Sequence, residues 1–334
     1  MFFQVNISNR LLCLNLSSGT MPVAKPWNSM AVGAGVIVAV ANGAVAYSAD
    51  SGATWNAGVG SALTDSYYTV EWNGTIFCAL TEAVANKAIT SPDGINWSNS
   101  SRTGFALHPQ IQGMMAQGGV FYIVDQLARS DIWSSATGTS WTMHGTAFPN
   151  SAQAWAGLAT NGTVAVAIQG YPTGTSSVAA SLDVGDLPGN LTGRLWTSRT
   201  MPATATWSYV IWTGHCFFAV STGISPGARS YDGTTWESVT IPTTVTDSGT
   251  KTIATLGKPC ADSTGKIYLP ITVLVGPLGT TRYLTSNNDG DSWTECALAT
   301  ASDRWLTSIS DGTAFVSPGY YGTGSGSDKV NYST

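Results

Sequence analysis

One polar stretch of the sequence decides the fold, Ser48-Ala49-Asp50-Ser51-Gly52-Ala53-Thr54-Trp55, because copies of it recur along the chain. In such a stretch the Asp accepts hydrogen bonds from backbone N–H groups, the Gly adopts a positive φ and the Trp packs back over the strand ends. Each copy, called a polar turn below, therefore predicts the closed end of a β-hairpin. The residues expected to build the four clearest polar turns are Ser48, Asp50, Gly52 and Trp55; Ser91, Asp93, Gly94 and Trp97; Ser230, Asp232, Gly233 and Trp236; and Ser286, Asp289, Gly290 and Trp293.

Two further copies of the polar turn are degenerate. A second recurring pattern, a glycine before an apolar strand, gives the length of the repeat. The stretch from Ser134 to Trp141 keeps Gly138 but has Ala136 where the Asp belongs, and a copy with an insertion ends at Trp196. A Gly followed by a short apolar strand occurs at Gly35, Gly74, Gly119, Gly162, Gly214, Gly265 and Gly312, with an average spacing of about 46 residues. Each unit has the pattern of four antiparallel strands. The sequence therefore predicts an all-β fold, a single seven-bladed β-propeller of four-stranded antiparallel blades.

The ends of the chain fit this arrangement. The last unit stops at Val330-Asn331-Tyr332-Ser333-Thr334 without a polar turn or final strand, and Phe2 to Leu16 has no other partner. We expect that N-terminal segment to close the ring as the outermost strand of the last blade, which removes an open sheet edge. The predicted bounds within one domain, 1–334, are 1–24 for the closing strand and linker, and 25–62, 63–104, 105–148, 149–202, 203–244, 245–300 and 301–334 plus 1–16 for the blades.

The low charge of the chain excludes several classes of function. Charged residues make up 10% of the chain, against about 25% in an ordinary domain, and the net charge is -5. Without a cluster of Lys and Arg, binding to nucleic acid is not expected. Met30 to Tyr47 is uncharged, but Asn42-Gly43 divides it as a hairpin turn would, so we do not expect membrane insertion.

The five cysteines give no disulfide framework, because they are far apart and odd in number: Cys13, Cys78, Cys216, Cys260 and Cys296. Free buried thiols are the favoured interpretation, and a bridge between Cys260 and Cys296, which fall in one repeat, is the open alternative. The first residues of the chain, Met1 to Gly19, lack the basic start and apolar block of a signal peptide. Synthesis in the cytosol is therefore expected.

The turn pattern S-x-D-(x)-G-x-x-W, repeated at blade period, resembles the Asp-box (BNR) repeat of the sialidase-like β-propeller superfamily over essentially the whole chain. The unit formed by Trp207–Val220 and Ala228–Trp236 looks like the bacterial and phage type, which is not enzymatic. The resemblance implies that the Asp boxes lie on the face opposite the usual ligand site. It does not by itself imply an activity, because the repeat occurs in hydrolases and non-enzymes alike.

For a sialidase the resemblance implies three Arg around the substrate carboxylate, a Tyr nucleophile paired with a Glu, and an acid/base Asp. This chain departs from that set, since Lys25-Pro26-Trp27 stands where an Arg-Ile-Pro segment is usual. Several of its arginines lie near strand ends or polar turns: Arg102, Arg129, Arg194, Arg199 and Arg229. We therefore do not expect a sialidase.

Two carboxylates on facing blades would be enough for a glycoside hydrolase, so an extracellular carbohydrate-active enzyme is the alternative function. Glu71 falls in the predicted inner strand of the second blade, and Asp65 and Asp303 precede the inner strands of the second and seventh blades. The favoured interpretation is that Glu71 is a polar residue of the channel and both Asp are solvated. We therefore assign no catalytic residue.

Histidines and metal ligands give weaker signals still. His108, His144 and His215 fall in different blades and have the pattern of ordinary surface or strand-edge residues. A Ca²⁺ site is the alternative for one acidic turn, formed by Asn287, Asn288, Asp289 and Asp291. We assign no metal and no cofactor.

Aromatic residues begin five of the predicted inner strands: Trp27, Tyr67, Trp155, Trp207 and Trp305. If these rings point to the mouth of the propeller, they form a collar on which sugars stack. In the favoured interpretation each ring is a wedge between adjacent blades. The candidate ligand-binding residues are these five together with Tyr68, Glu71 and Tyr209, and Tyr320 and Tyr321 are further aromatics expected to face a ligand.

The composition and the N-terminus together favour a virion protein. A surface rich in Ser, Thr, Gly and Asn is typical of proteins that meet glycans or partner proteins outside cells, whereas no secretion signal is visible. A phage tail or fibre-associated subunit, made in the host cytoplasm and released by lysis, reconciles the two. The expected partners are other virion or surface proteins and host glycans, in an oligomeric assembly; an extracellular location is the alternative.

Overall fold

The computed structural model describes residues 16–60, 63–81, 87–101, 103, 111–125, 131–145, 147–149, 154–170, 175–183, 196–223, 226–246, 250–275, 278–296, 307–319 and 327–333. All regular elements in these ranges are β-strands, arranged as seven antiparallel sheets. The first strands of consecutive sheets contact one another in a closed ring. The predicted seven-bladed β-propeller of four-stranded antiparallel blades is confirmed.

Four regular blades come first along the chain, each with its strands in order from the axis outward. Their strands are β2 (Trp27–Gly33), β3 (Val36–Ala41), β4 (Ala44–Ser48) and β5 (Asn56–Ala57); β6 (Tyr67–Trp72), β7 (Phe77–Thr81), β8 (Lys87–Ser91) and β9 (Ser98–Ser101); β10 (Ile111–Gln117), β11 (Val120–Asp125), β12 (Ile132–Ser135) and β13 (Thr142–His144); and β14 (Trp155–Thr160), β15 (Val164–Gln169), β16 (Ser176–Asp183) and β17 (Thr197–Ala205).

The remaining three blades include one that is elaborated and one that is shared between the chain ends. Their strands are β18 (Trp207–Trp212), β19 (Phe217–Ser221), β20 (Gly227–Ser230) and β21 (Glu237–Val239); β22 (Thr244–Val245), β23 (Lys251–Leu256), β24 (Cys260–Ala261), β25 (Ile267–Val275), β26 (Leu278–Ser286) and β27 (Thr294–Cys296); and β28 (Ile309–Ser310), β29 (Phe315–Pro318), β30 (Ser327–Ser333) and β1 (Leu16–Lys25).

The second strand of a blade is apolar because it lies between two neighbouring blades. In blade one, β3 has the sequence Val-Ile-Val-Ala-Val-Ala and is buried along its whole length, and β7 and β19 are buried in the same way. A continuous apolar run is what a strand covered on both faces requires. The stretch from Met30 to Tyr47 belongs to this sheet, and among the described residues no helix is long and apolar enough to cross a membrane.

The antiparallel order gives the ring two distinct faces. The turn between the first and second strands of each blade lies on the same side as the polar turn, and we call this side the turn face. In blade two, for example, Asn73 Nδ2 donates to the carbonyl oxygen of Gly119, 2.8 Å away, and to that of Ala136 in the polar turn of blade three. The inner strands begin on the opposite side, which we call the mouth face.

The ring is closed by pairing between the two ends of the chain. β1 is antiparallel to β30, with Leu16 opposite Ser333 and Thr20 opposite Lys329, and it forms the outer edge of the seventh blade. The closing strand therefore lies later in the chain than the predicted segment from Phe2 to Leu16. Residues 1–15 are outside the described residues. Met21 anchors β1, because its side chain is buried in a core shared with Val330 and Trp55.

The polar turns have the hydrogen bonds expected from their sequence. In blade two, Ser91 Oγ donates to Asp93 Oδ1 and accepts from the N–H of Gly94, both at 2.8 Å, while Trp97 Nε1 donates to the carbonyl of Gly94 at 3.0 Å. Burial alone would raise the pKa of Asp93, but hydrogen bonds from Asn96 and neighbouring groups hold it well below its usual range. Asp50 and Asp232 accept equivalent bonds in their own turns.

Two polar turns use residues other than those predicted. In blade six Asn288, not Asp289, accepts from Ser286 Oγ and from the N–H of Ser292, so the assignment of Asp289 to that role was wrong. Asp289 instead occupies the next position, where φ is 55°. In blade three Ser135, rather than Ser134, accepts from the N–H of Gly138, and the Thr137 hydroxyl replaces the Asp. A hydroxyl or amide oxygen can therefore replace the carboxylate.

Each of the five polar turns that the structure describes packs on the preceding blade through its glycine. A Cβ added to Gly94 of blade two would lie 2.7 Å from Val36 and Val38 side-chain atoms of blade one. The same kind of close approach occurs around the ring: Gly52 to Val316, Gly138 to Cys78, Gly233 to Val164 and Gly290 to Val239. Since blade one in this way contacts blade seven, these contacts continue across the point where the ring closes.

The sixth blade departs from the repeat. Its inner strand is divided into β23 and β24, which both pair with β25, and the short β22 pairs with the start of β23. The β25–β26 hairpin is paired from Ile267–Ser286 to Val275–Leu278, further than the hairpins of the other blades. Gly257, Lys258 and Pro259 occupy the interruption of the inner strand.

Four cysteines lie in the described part of the chain, and all are buried free thiols: Cys78, Cys216, Cys260 and Cys296. The open alternative, a bridge between Cys260 and Cys296, is therefore not formed. Both residues instead pack with Tyr268, Tyr283 and Phe315 in the core between blades six and seven. Cys13 lies outside the described residues.

The glycine contact between blades predicts a difference between two substitutions in blade two. Gly94→Ala combines a positive φ of 73° with a clash at 2.7 Å, whereas Gly74→Ala has a positive φ of 101° but no atom within 4 Å of the added Cβ. We expect Gly94→Ala to lower the free energy of unfolding, measured in urea, by about 1–3 kcal/mol more than Gly74→Ala does. Equal effects of the two substitutions would contradict the packing of the polar turn on blade one.

Candidate functional site

The inner strands share an irregularity close to the mouth face. In six blades the pairing of the inner strand with the next strand shifts by one residue, which marks a β-bulge. The shifts lie between Trp27 and Ser29, Tyr67 and Thr69, Ile111 and Gly113, Trp155 and Gly157, Trp207 and Tyr209, and Ile253 and Thr255. The unpaired residues are therefore Asn28, Tyr68, Gln112, Ala156, Ser208 and Ala254. A bulge turns the direction of side chains, so each of these strands changes which residue faces the axis.

A cavity of about 400 Å³ lies on the axis at this level. Residues from all seven blades line it, and four of the six bulge residues are among them. The lining residues are Trp27, Asn28, Ser29, Tyr68, Thr69, Gly113, Met114, Ala156, Gly157, Leu158, Ser208, Tyr209, Val210, Lys258 and Thr307. In blades one to five they come from the first four residues of the inner strands, so the cavity belongs to the mouth face, opposite the polar turns.

The aromatic residues that begin the inner strands do not form a collar. Trp27, Tyr67, Trp155 and Trp207 have at most 1% of their surface exposed. They pack in the cores between blades, where Trp155 stacks on Phe148 with 4.2 Å between ring centroids. The interpretation of these rings as wedges between blades describes their positions correctly, and the collar was wrong. Trp305 lies outside the described residues.

Three aromatic residues line the cavity: Tyr68, Tyr209 and Trp27, of which Trp27 is only 1% exposed. Tyr68 and Tyr209 are partly buried and line the cavity, as expected of ligand-facing aromatics. Tyr68 is the bulge residue of blade two, one position after the buried Tyr67, and Tyr209 follows the bulge of blade five. Tyr320 and Tyr321 lie outside the described residues.

The polar groups of the wall are held in place by backbone hydrogen bonds. Asn28 Nδ2 donates to the carbonyl of Tyr67 at 2.7 Å, and Ser29 Oγ accepts from the N–H of Val70 at 3.4 Å, so both link blade one to blade two. Ser208 Oγ donates to the carbonyl of Thr206 at 3.0 Å. The wall is therefore an ordered mixture of amide, hydroxyl and aromatic groups.

One charged side chain of the described residues lines the cavity, that of Lys258. Glu71 lies further along the channel, on the same face of β6 as Thr69, and is deeply enclosed although part of its side chain stays accessible. Burial raises the pKa of Glu71, while the positive charge of Lys258 and a hydrogen bond from the Trp72 N–H lower it and only partly offset the burial. The net effect is a pKa of Glu71 above its ordinary value.

The carboxylates considered for glycoside hydrolysis are not brought together. Asp65 forms an ion pair with Lys87 at 3.0 Å near the mouth end of β6, whereas Glu71 is four strand residues beyond Tyr67, about 13 Å further along at ~3.3 Å a residue. Hydrolysis requires two carboxyl groups within about 10 Å. Asp303 lies outside the described residues.

The other candidate residues lie away from the cavity. His144 Nε2 is 2.8 Å from Ser134 Oγ on an outer strand, and His215 Nδ1 is 3.6 Å from Asp289 Oδ1 on the turn face. Arg229 is paired with Asp291 and Glu237 on the same face. No group of three or more His, Cys, Asp and Glu side chains is arranged to hold a metal ion within the described ranges. His108, Arg102, Arg129 and Arg194 are not among the described residues.

Several residues of the cavity were missed in the sequence. Lys258 lies in the interrupted inner strand of blade six, where the repeat pattern gives no register, and Met114 has no unusual sequence neighbours. One signal could have found the bulge residues. The position after each buried aromatic holds Asn28, Tyr68, Ala156 and Ser208, and three of these four residues are polar at the start of an otherwise apolar strand.

Comparison with known proteins supports the fold and no more. No family model and no curated protein matches the sequence. Selenomethionine-substituted virginiamycin B lyase from Staphylococcus aureus is similar in structure, with a TM-score of 0.70, 10% identity and coverage of 96% of this chain and 99% of that chain. The fold is a β-propeller.

Two further similar structures contain a bound molecule. A catalytically inactive virginiamycin B lyase with quinupristin has a TM-score of 0.69 and 10% identity, covering 96% of this chain and 99% of that chain. YCF48 bound to a D1 peptide has a TM-score of 0.62 and 13% identity, covering 96% of this chain and 95% of that chain. At this identity the propellers share an architecture, and their activities do not transfer.

The burial of Glu71 predicts a pH-dependent effect of Glu71→Gln. A carboxyl whose pKa is raised in the folded protein binds its proton more tightly there than in the unfolded chain, where the pKa is ~4.3. Wild-type stability should therefore fall relative to the variant as pH rises through the window from ~4.3 to the raised value, and the difference should then level off. Urea unfolding of both proteins at a series of pH values measures it. If the stability of wild type minus that of the variant stays constant or increases as pH rises, the enclosed position of Glu71 is contradicted.

Proposed function

We propose that this protein is a non-enzymatic binding β-propeller that takes a carbohydrate ligand in the central cavity of the mouth face. The observation that carries the proposal is the chemistry of the cavity wall. Tyr68 and Tyr209 offer ring surface, while Asn28, Ser208 and Thr307 supply amide and hydroxyl groups. Sugars present apolar faces edged by hydroxyl groups, so stacking on rings combined with polar contacts fits them.

Binding is favoured over hydrolysis by the charges around the cavity. Within the described residues the wall holds no carboxylate, and Glu71 lies deeper in the channel, where burial raises its pKa. The described histidines, His144 and His215, lie on an outer strand and on the turn face. A pocket of this size that orients a ligand without reactive groups is typical of a binding protein.

We place this binding function in a virion, as part of a phage tail or fibre. The low charge, 10% of residues, and the many Ser, Thr, Gly and Asn side chains support a surface that works outside cells. We also propose that the polar turns are Asp boxes of the sialidase-like type, since their Ser, Asp, Gly and Trp residues form the turn that the resemblance implies. Host glycans at the mouth face and other virion proteins elsewhere on the ring would be the partners.

Substitution of the cavity tyrosines tests the ligand site. We expect Tyr68→Ala and Tyr209→Ala each to weaken binding to the glycans that wild type retains on an array by at least about fivefold, because each removes one stacking surface. Tyr231→Ala is the matched control, since Tyr231 is 51% exposed and lies on the turn face. Glycan binding that survives both cavity substitutions, or is lost in Tyr231→Ala, would place the site elsewhere.

Mass spectrometry of purified phage particles tests the setting. If the propeller is a tail or fibre component, its peptides should remain with the particles after density-gradient purification and after washing at high salt. Peptides found only in the soluble fraction of the lysate would contradict the virion proposal and leave the cavity proposal standing.

A further inference from the structure

We propose that the ligand of the cavity carries an anionic group, a carboxylate, sulfate or phosphate ester, and that Lys258 Nζ binds it. The inference rests on the proposed carbohydrate function and names the class of sugar. It starts from one side chain, because Lys258 is the charged residue among those described that line the cavity.

The backbone of Lys258 is held so that its side chain stays at the cavity. It lies between β23 and β24, where Gly257 N–H donates to the carbonyl of Pro270 at 2.8 Å. On the other side Ser308 Oγ of blade seven donates to the Lys258 carbonyl at 2.9 Å. Pro259 follows and restricts the backbone further. The interruption of the inner strand therefore places one long cationic side chain at the cavity, where the other blades place Asn28, Tyr68 and Ser208.

The ammonium group of Lys258 forms no ion pair with the residues that the structure describes. Burial raises the pKa of Glu71, and the positive charge of Lys258 is near enough to offset part of that shift. No ion pair or hydrogen bond joins these two side chains in the described part of the chain. A half-buried ammonium without an acceptor is costly to desolvate, and an anionic ligand would supply that acceptor through a charge-assisted hydrogen bond.

The surroundings of Lys258 suit a charged sugar better than a free ion. Thr307, also in the wall, immediately precedes the Ser308 that binds the Lys258 backbone, so the next blade adds a hydroxyl-bearing residue to this part of the wall. Tyr209 belongs to blade five, whose inner strand contacts β24. A ligand with a ring for the tyrosine and an acidic substituent for the lysine would contact both neighbouring blades.

A pair of probes that differ in one group tests the inference. Methyl glucuronide and methyl glucoside share a ring, but only the first carries a carboxylate, and a glucoside 6-sulfate extends the comparison to a sulfate ester. In titrations followed by protein NMR, wild type should bind each acidic sugar at least about tenfold more tightly than methyl glucoside. Lys258→Met should remove this preference and Lys258→Arg should keep it. Lys266→Met is the control, because Lys266 immediately precedes β25, beside the turn face.

The outcomes separate this inference from the proposed function. Tyrosine-dependent binding of both sugars with equal affinity, or a preference that survives in Lys258→Met, would overturn the anionic site and leave carbohydrate binding intact. Titration with inorganic sulfate tests the anion site without a sugar. If sulfate binds wild type but not Lys258→Met while none of the sugars binds, the anion site stands and the carbohydrate function fails. Binding of none of these probes contradicts both.

Discussion

Contact between neighbouring blades is the constraint on which the rest of the structure depends. Each polar turn places a glycine against the second strand or outer part of the preceding blade, with room for no Cβ at Gly52, Gly94, Gly138, Gly233 or Gly290. A single blade would leave both of its apolar faces in water, so its stability comes from its neighbours. The pairing of β1 with β30 gives the first and last blades the same support. The axial cavity exists only because this ring is closed, since its wall requires all seven inner strands.

Most of the fold could be predicted because it repeats. The turn glycines and the Ser, Asp and Trp of the polar turns recur at one period, so an error in a single unit does not change the architecture. The closing strand was placed too early for a physical reason. β1 covers one side of the seventh blade, and Met21 is the one fully buried residue among Leu16–Lys25. An outer strand of this kind has no apolar pattern in its sequence. Leu11-Leu12-Cys13-Leu14 is a continuous apolar run, so it has the more strand-like sequence.

Less of the candidate site could be predicted, because the bulges change which side chains face the axis. Counting back from the turn glycines locates Tyr67, Trp155 and Trp207 correctly at the start of the inner strands, but these side chains are directed into the cores between blades. The next residue in each strand faces the cavity instead. Tyr68 was identified as a candidate, whereas Lys258 was not. Its position follows from the interruption in blade six, which no other inner strand of the described residues contains and which no period can reveal.

The account places ligand recognition in the axial cavity and assigns the polar turns a structural role on the opposite face. A crystal structure of the protein with a glycan that it binds on an array tests this division most directly. We predict electron density for the glycan on the axis at the mouth face, between Tyr68 and Tyr209 and within reach of Lys258. Density on the turn face, near Tyr231 and the polar turns, with an empty axial cavity would contradict the account.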